Sequence, residues 1–260
     1  MRSGETARKQ FNLQAANFDS WETPKNREYL QGLSAMLSLS PDDMLLDVAS
    51  GTGEFVTFCG PLVKRAIGID ISDALIALSC QRKLQAGLTN VDFHLGDAER
   101  LPFSNSSFDV VICKSAFHHL LHSGPVFAEM LSCCKTGGTI AICDIIAHED
   151  PDIDAFFEEF EQLVDASHAR TLSGIEFEEL FRSNNIVVAQ RFELEIRHTI
   201  AEYLTHACQT ESALLELDAL LVRAKSIPGL PDYWNVMNGS KDEMEFRRKV
   251  VVLVGKKSVP

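Results

Sequence analysis

The stretch "MLLDVASGTGEF", Met44 to Phe55, is an apolar run that closes on an acid, Asp47, and breaks at once into small residues around Gly51 and Gly53. Short runs rich in Val, Ile and Leu recur downstream, at Ala66 to Asp70, Val91 to Leu95, Phe108 to Lys114 and Thr139 to Ile146. Each is too short for a helix, and their near-continuous apolarity predicts strands buried on both faces. Between them, "ISDALIALSCQRKLQAG" opens on Ser72 and Asp73 as N-cap residues and stops at Gly87, and "SGPVFAEMLSCCKTGG" ends in paired glycines. Strand, helix, strand repeated in this way predicts an α/β, doubly wound parallel sheet of Rossmann-like type with right-handed crossovers.

The texture changes after Ile146. "EDPDIDAFFEEFEQLVDASHARTL" reads as an acidic amphipathic helix with a polar tail, and Ser173 to Glu176 as a capping box opening another helix. "VVAQRFELEI" from Val187 alternates as a strand, "AEYLTHA" and "ESALLELDALLVRAK" are helical, and "KVVVLVGKK" closes the chain as a last strand. No linker divides the 260 residues into independent domains. The reading is one domain whose core spans about 25–146, 173–198 and 243–257, with cap additions at 1–24, 147–172 and 199–242.

Composition narrows the partner. The formal net charge of −13 disfavours a broad electrostatic hold on nucleic acid or anionic lipid, so a small molecule fits better. No run approaches the roughly 20 consecutive apolar residues of a membrane span, and the start has no apolar signal core, so a cytoplasmic protein is expected. The seven cysteines are scattered, mostly within apolar runs, and form no CxxC pair. They read as reduced core thiols and no metal site is expected, although the adjacent Cys133 and Cys134 could in principle grip a soft metal.

In an open parallel sheet, ligands bind beyond the carboxyl ends of the strands. Gly51 and Gly53 permit a tight turn and close backbone approach there. A lone GxG is weak evidence, and the dinucleotide fingerprint asks for a third glycine where this chain has Val56. Asp47 repels a pyrophosphate and suits a cationic amino group. Asp70 closes the second strand, where a carboxylate can accept two hydrogen bonds from a ribose diol, and Asp97 closes the third, where it can meet an exocyclic amine of adenine. Three acids at successive strand ends, with no basic residue in the glycine loop, suit a ligand with an adenosine end and a cationic end but no phosphate.

"LLDVASGTG", "AIGIDIS", "LGDAERLPFSNSSFDVVICKSAFHHL" and "KTGGTIAICDII" occur in order and spacing much as in class I S-adenosylmethionine-dependent methyltransferases. The chain resembles the subgroup typified by ubiquinone and menaquinone biosynthesis C-methyltransferases, most strongly over Met44 to Ile146. "FNLQAANF" and "DASHARTLSGIEFEELF" extend the likeness. The resemblance implies a seven-stranded, mostly parallel sheet whose last strand inserts antiparallel, helices on both faces, and S-adenosylmethionine as cofactor with S-adenosylhomocysteine as product. It also implies that Asp47 and the Gly51 region hold the methionine end, Asp70 the ribose, and Asp97 with Ala98 the adenine, with Lys114 beside the methionine moiety and Ala49, Gly53 and Ile71 completing the site. Ala49 departs from the broad class, which often has glycine there; the close subgroup often has alanine.

His118 and His119 follow the fourth strand, facing the place of a methyl acceptor. Either suits a general base, His119 slightly preferred, and a packed core histidine is the plainer alternative. His168 and Arg170 could reach an anionic or phenolic substrate; the plainer reading pairs Arg170 with Asp165 within the loop. Phe11, Phe18, Tyr233 and Trp234 are candidate pocket walls or simply core. "CKSAFHHL" replaces the Asn/Asp-Pro-Pro-aromatic tetrad of amide and adenine N-methyltransferases, which disfavours nucleic-acid modification. The expectation is methyl transfer to a small, aromatic or apolar acceptor, with oligomeric state open. An NAD-linked oxidoreductase and a non-catalytic S-adenosylmethionine-binding protein are the alternatives.

Overall fold

The structure, a computed structural model, describes residues 3–21, 26–207, 209–235 and 244–258. Cys208 and the cap boundaries at Pro24 and Asp242 fall outside them. Five strands, with helices between all neighbours in the chain but β3 and β4, open the sheet: β1 (Met44–Val48), β2 (Arg65–Asp70), β3 (Val91–Leu95), β4 (Phe108–Lys114) and β5 (Cys134–Ile145). All five pair in parallel in the order β3-β2-β1-β4-β5. The late strands are β6 (Val187–Thr199), the two-residue β7 (Trp234–Asn235) and β8 (Glu245–Lys256). β8 inserts between β5 and β6, antiparallel to both, so seven strands form the continuous sheet and β7 pairs with β8 off that path.

Helices cover both faces. α2 (Arg27–Met36) and α3 (Glu54–Cys59) pack Leu30, Leu33, Phe55 and Val56 on one face. α5 (Ser123–Cys133) and α7 (Gly174–Ser183) pack Phe127, Met130, Phe177 and Phe181 on the other. All eight side chains are essentially inaccessible, and burying each contributes roughly 1.5–3 kcal/mol. α4 (Asp73–Gln85) is capped by the Ser72 hydroxyl accepting from Leu75 N, and α7 carries the full Ser173–Glu176 capping box. α1 (Ser3–Ser20), α6 (Pro151–Val164), α8 (Ile200–Thr205) and α9 (Glu211–Ala224) lie outside the sheet. Most of the last three, with β7 and the start of β8, share a third core rich in aromatic rings: Phe156, Phe157, Phe160, Tyr203, Trp234 and Phe246. Among the described residues no helix is long and apolar enough to cross a membrane.

Two local expectations are corrected. β3 is not buried on both faces, because it is the edge strand and Leu95 is 53% exposed. α5 ends before the paired glycines: Cys134 already pairs with Phe108 in the sheet. Gly137 turns at φ +78°, and a Cβ on Gly138 would stand 2.8 Å from Asp109 O, so the pair serves the irregular start of β5.

Candidate cofactor and acceptor site

Strand order reverses between β1 and β4, and the loops beyond their carboxyl ends open a cavity of about 220 Å³. The glycine loop floors it. Gly53 turns at φ +79°, and a Cβ there would meet Phe93 Cζ at 2.5 Å, so only glycine fits. Gly51, at φ +58°, has open space where a side chain would point, which leaves its backbone free for close approach. Ala49 also sits at positive φ, +57°, which accounts for glycine as an alternative at this position.

Asp70 binds this loop to the next helix: Oδ2 accepts from Gly51 N at 2.8 Å and Oδ1 from Ser72 N at 2.9 Å. Each carboxylate oxygen accepts more than one bond, so a diol can still be held. Asp47 lies behind the loop, 1% exposed, its Oδ1 without a hydrogen-bond partner among the described residues. Burial pushes its carboxyl up to about 7; Lys114 opposes the rise, and the charges of Asp70 and Glu54 add to it. Burial also raises Asp70. Such a crowded acidic floor favours a ligand that brings positive charge.

Of the residues singled out from sequence, Ala49, Gly51, Asp70, Ile71, Asp97, Ala98, Lys114, His118, His119 and His168 line the cavity. Asp47 and Gly53 do not; they shape the loop from behind. Arg170 does not either, nor does it pair with Asp165: its guanidinium binds Glu176 at 2.7 Å on the surface, because the α7 capping box brings that carboxylate within reach. Phe11 and Phe18 are walls, whereas Trp234 is core and Tyr233 packs on His148.

The two adjacent histidines differ in what stands behind them. His118 Nδ1 lies 2.5 Å from Asp144 Oδ1, while Asp144 Oδ2 accepts from Ala116 N and Phe117 N. Burial alone lowers His118, yet the Asp144 carboxylate together with the charges of Glu161 and Asp165 outweighs it and the net shift is upward. His119 Nδ1 meets the Ser167 hydroxyl at 3.0 Å, which is held by Asp165. Burial and the neighbouring His118 push His119 down to about 3, so its ring is neutral. His168 is tied to Glu158 at 3.2 Å.

A family model described as a methyltransferase domain matches residues 39–212. The chain belongs to the methyltransferase domain family, of the class I S-adenosylmethionine-dependent type. This methyltransferase is 31% identical over 156 residues to the uncharacterized methyltransferase YcgJ of Bacillus subtilis (strain 168), covering 59% of the chain and 62% of that protein. It is also 31% identical to the ubiquinone/menaquinone biosynthesis C-methyltransferase UbiE of Ectopseudomonas mendocina (strain ymp), over 43% of the chain and 45% of the relative. The matches thus span between about half and three fifths of these relatives. In fold it resembles a putative methyltransferase of Bacillus halodurans C-125 (TM-score 0.82, 21% identity, 89% and 100% of the two chains) and the YcgJ structure (TM-score 0.80, 24%, 90% and 100%).

The methyltransferase site holds residues that sequence reasoning passed over. Asp144 closes the fifth strand, so the strand-end rule that found Asp47, Asp70 and Asp97 reaches it too. α1 covers the cavity with Gly4 and Ala7 beside the anticipated walls Phe11 and Phe18. It is tied to α4 through Asn12, which donates to Asp73 and accepts from Ser72, and to the cap through Gln14, which donates to Asp165 at 2.9 Å. Tyr29 lines the cavity and touches Cys143 Sγ at 3.0 Å. The far end is closed by Trp21, Glu161, His198, Tyr203, His206 and Arg248. Cys133 and Cys134 are buried, and no group of three or more metal-ligating side chains occurs among the described residues.

Proposed function

We propose that this methyltransferase moves a methyl group from S-adenosylmethionine to a small molecule seated under the helical cap. The observation that carries the reading is the acidic floor: a buried Asp47 with an unpartnered oxygen, and Asp70 clamped to the glycine loop, both beside a cavity that continues under the cap. These residues fit the cofactor, since the loop offers bare backbone and negative charge where a phosphate would be repelled. When bound, S-adenosylmethionine supplies a methyl group on a sulfonium centre.

The protein's part is placement. Asp70 holds the ribose diol, Asp97 and Ala98 border the adenine with Ile71, and Gly51, Asp47 and Lys114 border the methionine end. Holding two reactants in line accounts for most of the acceleration such a displacement needs. Where the acceptor must lose a proton, His118 takes it, oriented by Asp144; His119 is a neutral wall oriented through Ser167. The described parts of residues 1–24, 147–172 and 199–242 act as the cap on one core, and the net charge of −13 favours a small acceptor over nucleic acid. The nicotinamide reading loses ground because Val56, at the place of the third fingerprint glycine, is a fully buried core residue.

Calorimetry with S-adenosylhomocysteine tests the reading. Wild type binds, and Asp70→Ala weakens binding by roughly thirtyfold or more, the loss of charge-assisted bonds. No binding by wild type, or unchanged binding by the variant, rejects it. Release of S-adenosylhomocysteine with an acceptor separates an enzyme from a protein that only binds the cofactor.

A further inference from the structure

Between α1 and the loop after α6 runs a line of buried polar side chains that ends on the His119 ring. Gln14, Asp165 and Ser167 are 0%, 3% and 7% exposed, so each must find its hydrogen bonds inside the protein. Gln10 Nε2 donates to Gln14 Oε1 at 3.0 Å, and Gln14 Nε2 donates to Asp165 Oδ2 at 2.9 Å. Asp165 Oδ1 accepts from Ser167 N at 2.8 Å and from the Ser167 hydroxyl at 2.6 Å. The same hydroxyl stands 3.0 Å from His119 Nδ1.

Each proton along this line has one place. Burial works against the charge of Asp165, yet His119, Ser167 and Gln14 outweigh it and hold the carboxyl below its usual range. An ionised carboxylate only accepts, and a serine hydroxyl has one proton, so that proton goes to Asp165. The Ser167 oxygen then has only lone pairs to offer His119, and Nδ1 must bring the hydrogen. The opposite tautomer would set two lone pairs against each other, at the 2.6 Å contact or at the 3.0 Å one. A neutral imidazole carries a single proton, so Nε2 is bare. Nε2 has no hydrogen-bond partner among the described residues and is not shut off from the cavity that the ring lines. Phe11 packs edge-on against that ring, with centroids 4.9 Å apart. Phe11 and Gln14 stand three residues apart on α1, so one helix face holds both the ring and the far end of its hydrogen-bonded line.

We infer that Gln14, Asp165 and Ser167 are positioning residues that lock His119 in its Nδ1–H tautomer, so that Nε2 presents a lone pair to the cavity as a fixed hydrogen-bond acceptor. Treating the group it orients as part of the methyl acceptor rests on the function proposed above; the tautomer does not. The acceptor must then turn a polar hydrogen toward this ring, and α1 enters the chemistry of that end as well as roofing the cavity.

Nitrogen–proton correlation NMR of the histidine rings in the ligand-free protein reads the tautomer, with His119 identified by the signal lost in His119→Gln. In wild type the proton sits on Nδ1 and Nε2 has the shift of an unprotonated ring nitrogen. Ser167→Ala removes the oxygen that Nδ1 donates to, and Gln14→Leu removes the donor that keeps Asp165 turned toward Ser167. Both move the proton to Nε2, the form a free imidazole side chain favours in water, Ser167→Ala the more completely. A proton on Nε2 in wild type, or a charged ring, overturns the inference even if a variant fails to fold. So does a tautomer that neither substitution moves.

Turnover is the second readout. With a metabolite extract as the probe, release of S-adenosylhomocysteine by Ser167→Ala falls roughly tenfold, the loss of about one hydrogen bond, while affinity for that nucleoside stays within about twofold. A moved tautomer with unchanged release overturns the orienting role. No release by wild type counts against the function proposed above, and the spectra still decide the tautomer.

Discussion

The rim of the parallel sheet and the chamber under the cap share one cavity but are built on opposite plans. The rim takes its polar groups from consecutive strand ends, and two of its carboxylates are fixed by nearby backbone, Asp70 by Gly51 and Ser72 and Asp144 by Ala116 and Phe117, while Asp47 keeps one oxygen without a partner among the described residues. The chamber gathers Trp21, Glu161, His198, Tyr203 and Arg248 from five separate elements or their flanks, and Trp21, Glu161, His198 and Arg248 each keep an atom without a hydrogen-bond partner among the described residues. A surface held mainly by its own backbone can serve one ligand shape throughout a family. A surface left incomplete can be retuned by single side chains, which suits an acceptor site.

The contrast breaks most visibly at Gly53. Gly53→Ala puts a Cβ 2.5 Å from Phe93 at φ +79°, so a loss of about 2–4 kcal/mol in thermal stability is expected, together with loss of S-adenosylhomocysteine binding. Retained affinity would mean the rim is not rigid. Asp47 sharpens the point through pH. Its carboxyl titrates near 7 in the fold against an ordinary 3.8, so the folded state binds more protons between those values and stability falls as pH rises across them. Asp47→Asn is therefore expected to raise the stability of the ligand-free protein at pH 8 by on the order of 1–3 kcal/mol while weakening S-adenosylhomocysteine binding. Denaturant melts at pH 5 and pH 8 check it; no pH-dependent gain places a compensating charge beside Asp47.

Asp144→Asn should slow turnover about ten- to a hundredfold with nucleoside affinity unchanged within about twofold. Its more specific readout is the pH profile. A base must be neutral, and Asp144 holds His118 above its ordinary 6.5, so activity climbs as pH rises through that raised value. Removing the carboxylate moves the profile to lower pH. An unmoved profile assigns Asp144 to packing. The smallest effect belongs to Arg170→Ala: its ion pair with Glu176 is more than half exposed on the arginine side, so stability changes by less than about 0.5 kcal/mol and turnover stays constant. A drop in turnover would return Arg170 to the acceptor site.

Most of the sheet was legible because buried parallel strands advertise themselves as short apolar runs, and the rim because its acids close those runs. Edge burial was not, since a pattern such as "VDFHL" does not state what pairs beyond it. The end of α5 was misread because paired glycines signal a turn without specifying whether a helix or a strand uses it. Asp144 lay within reach of the strand-end rule. The chamber lay beyond any local rule: Arg248 stands in an apolar strand and His198 in an alternating one, and only the antiparallel pairing of β6 with β8 sets them near Glu161. Arg170 and Asp165 are close in sequence, yet the capping box decides the partner.

The position of β8 has a mechanical consequence. It lies inside the sheet, hydrogen-bonded to β5 on one edge and β6 on the other, and it carries Arg248 and Val250 to the cavity wall. One strand therefore ties the parallel rim to the long antiparallel ribbon that bears His198, so a substitution that loosens either of its edges shifts the cavity wall as well as the sheet.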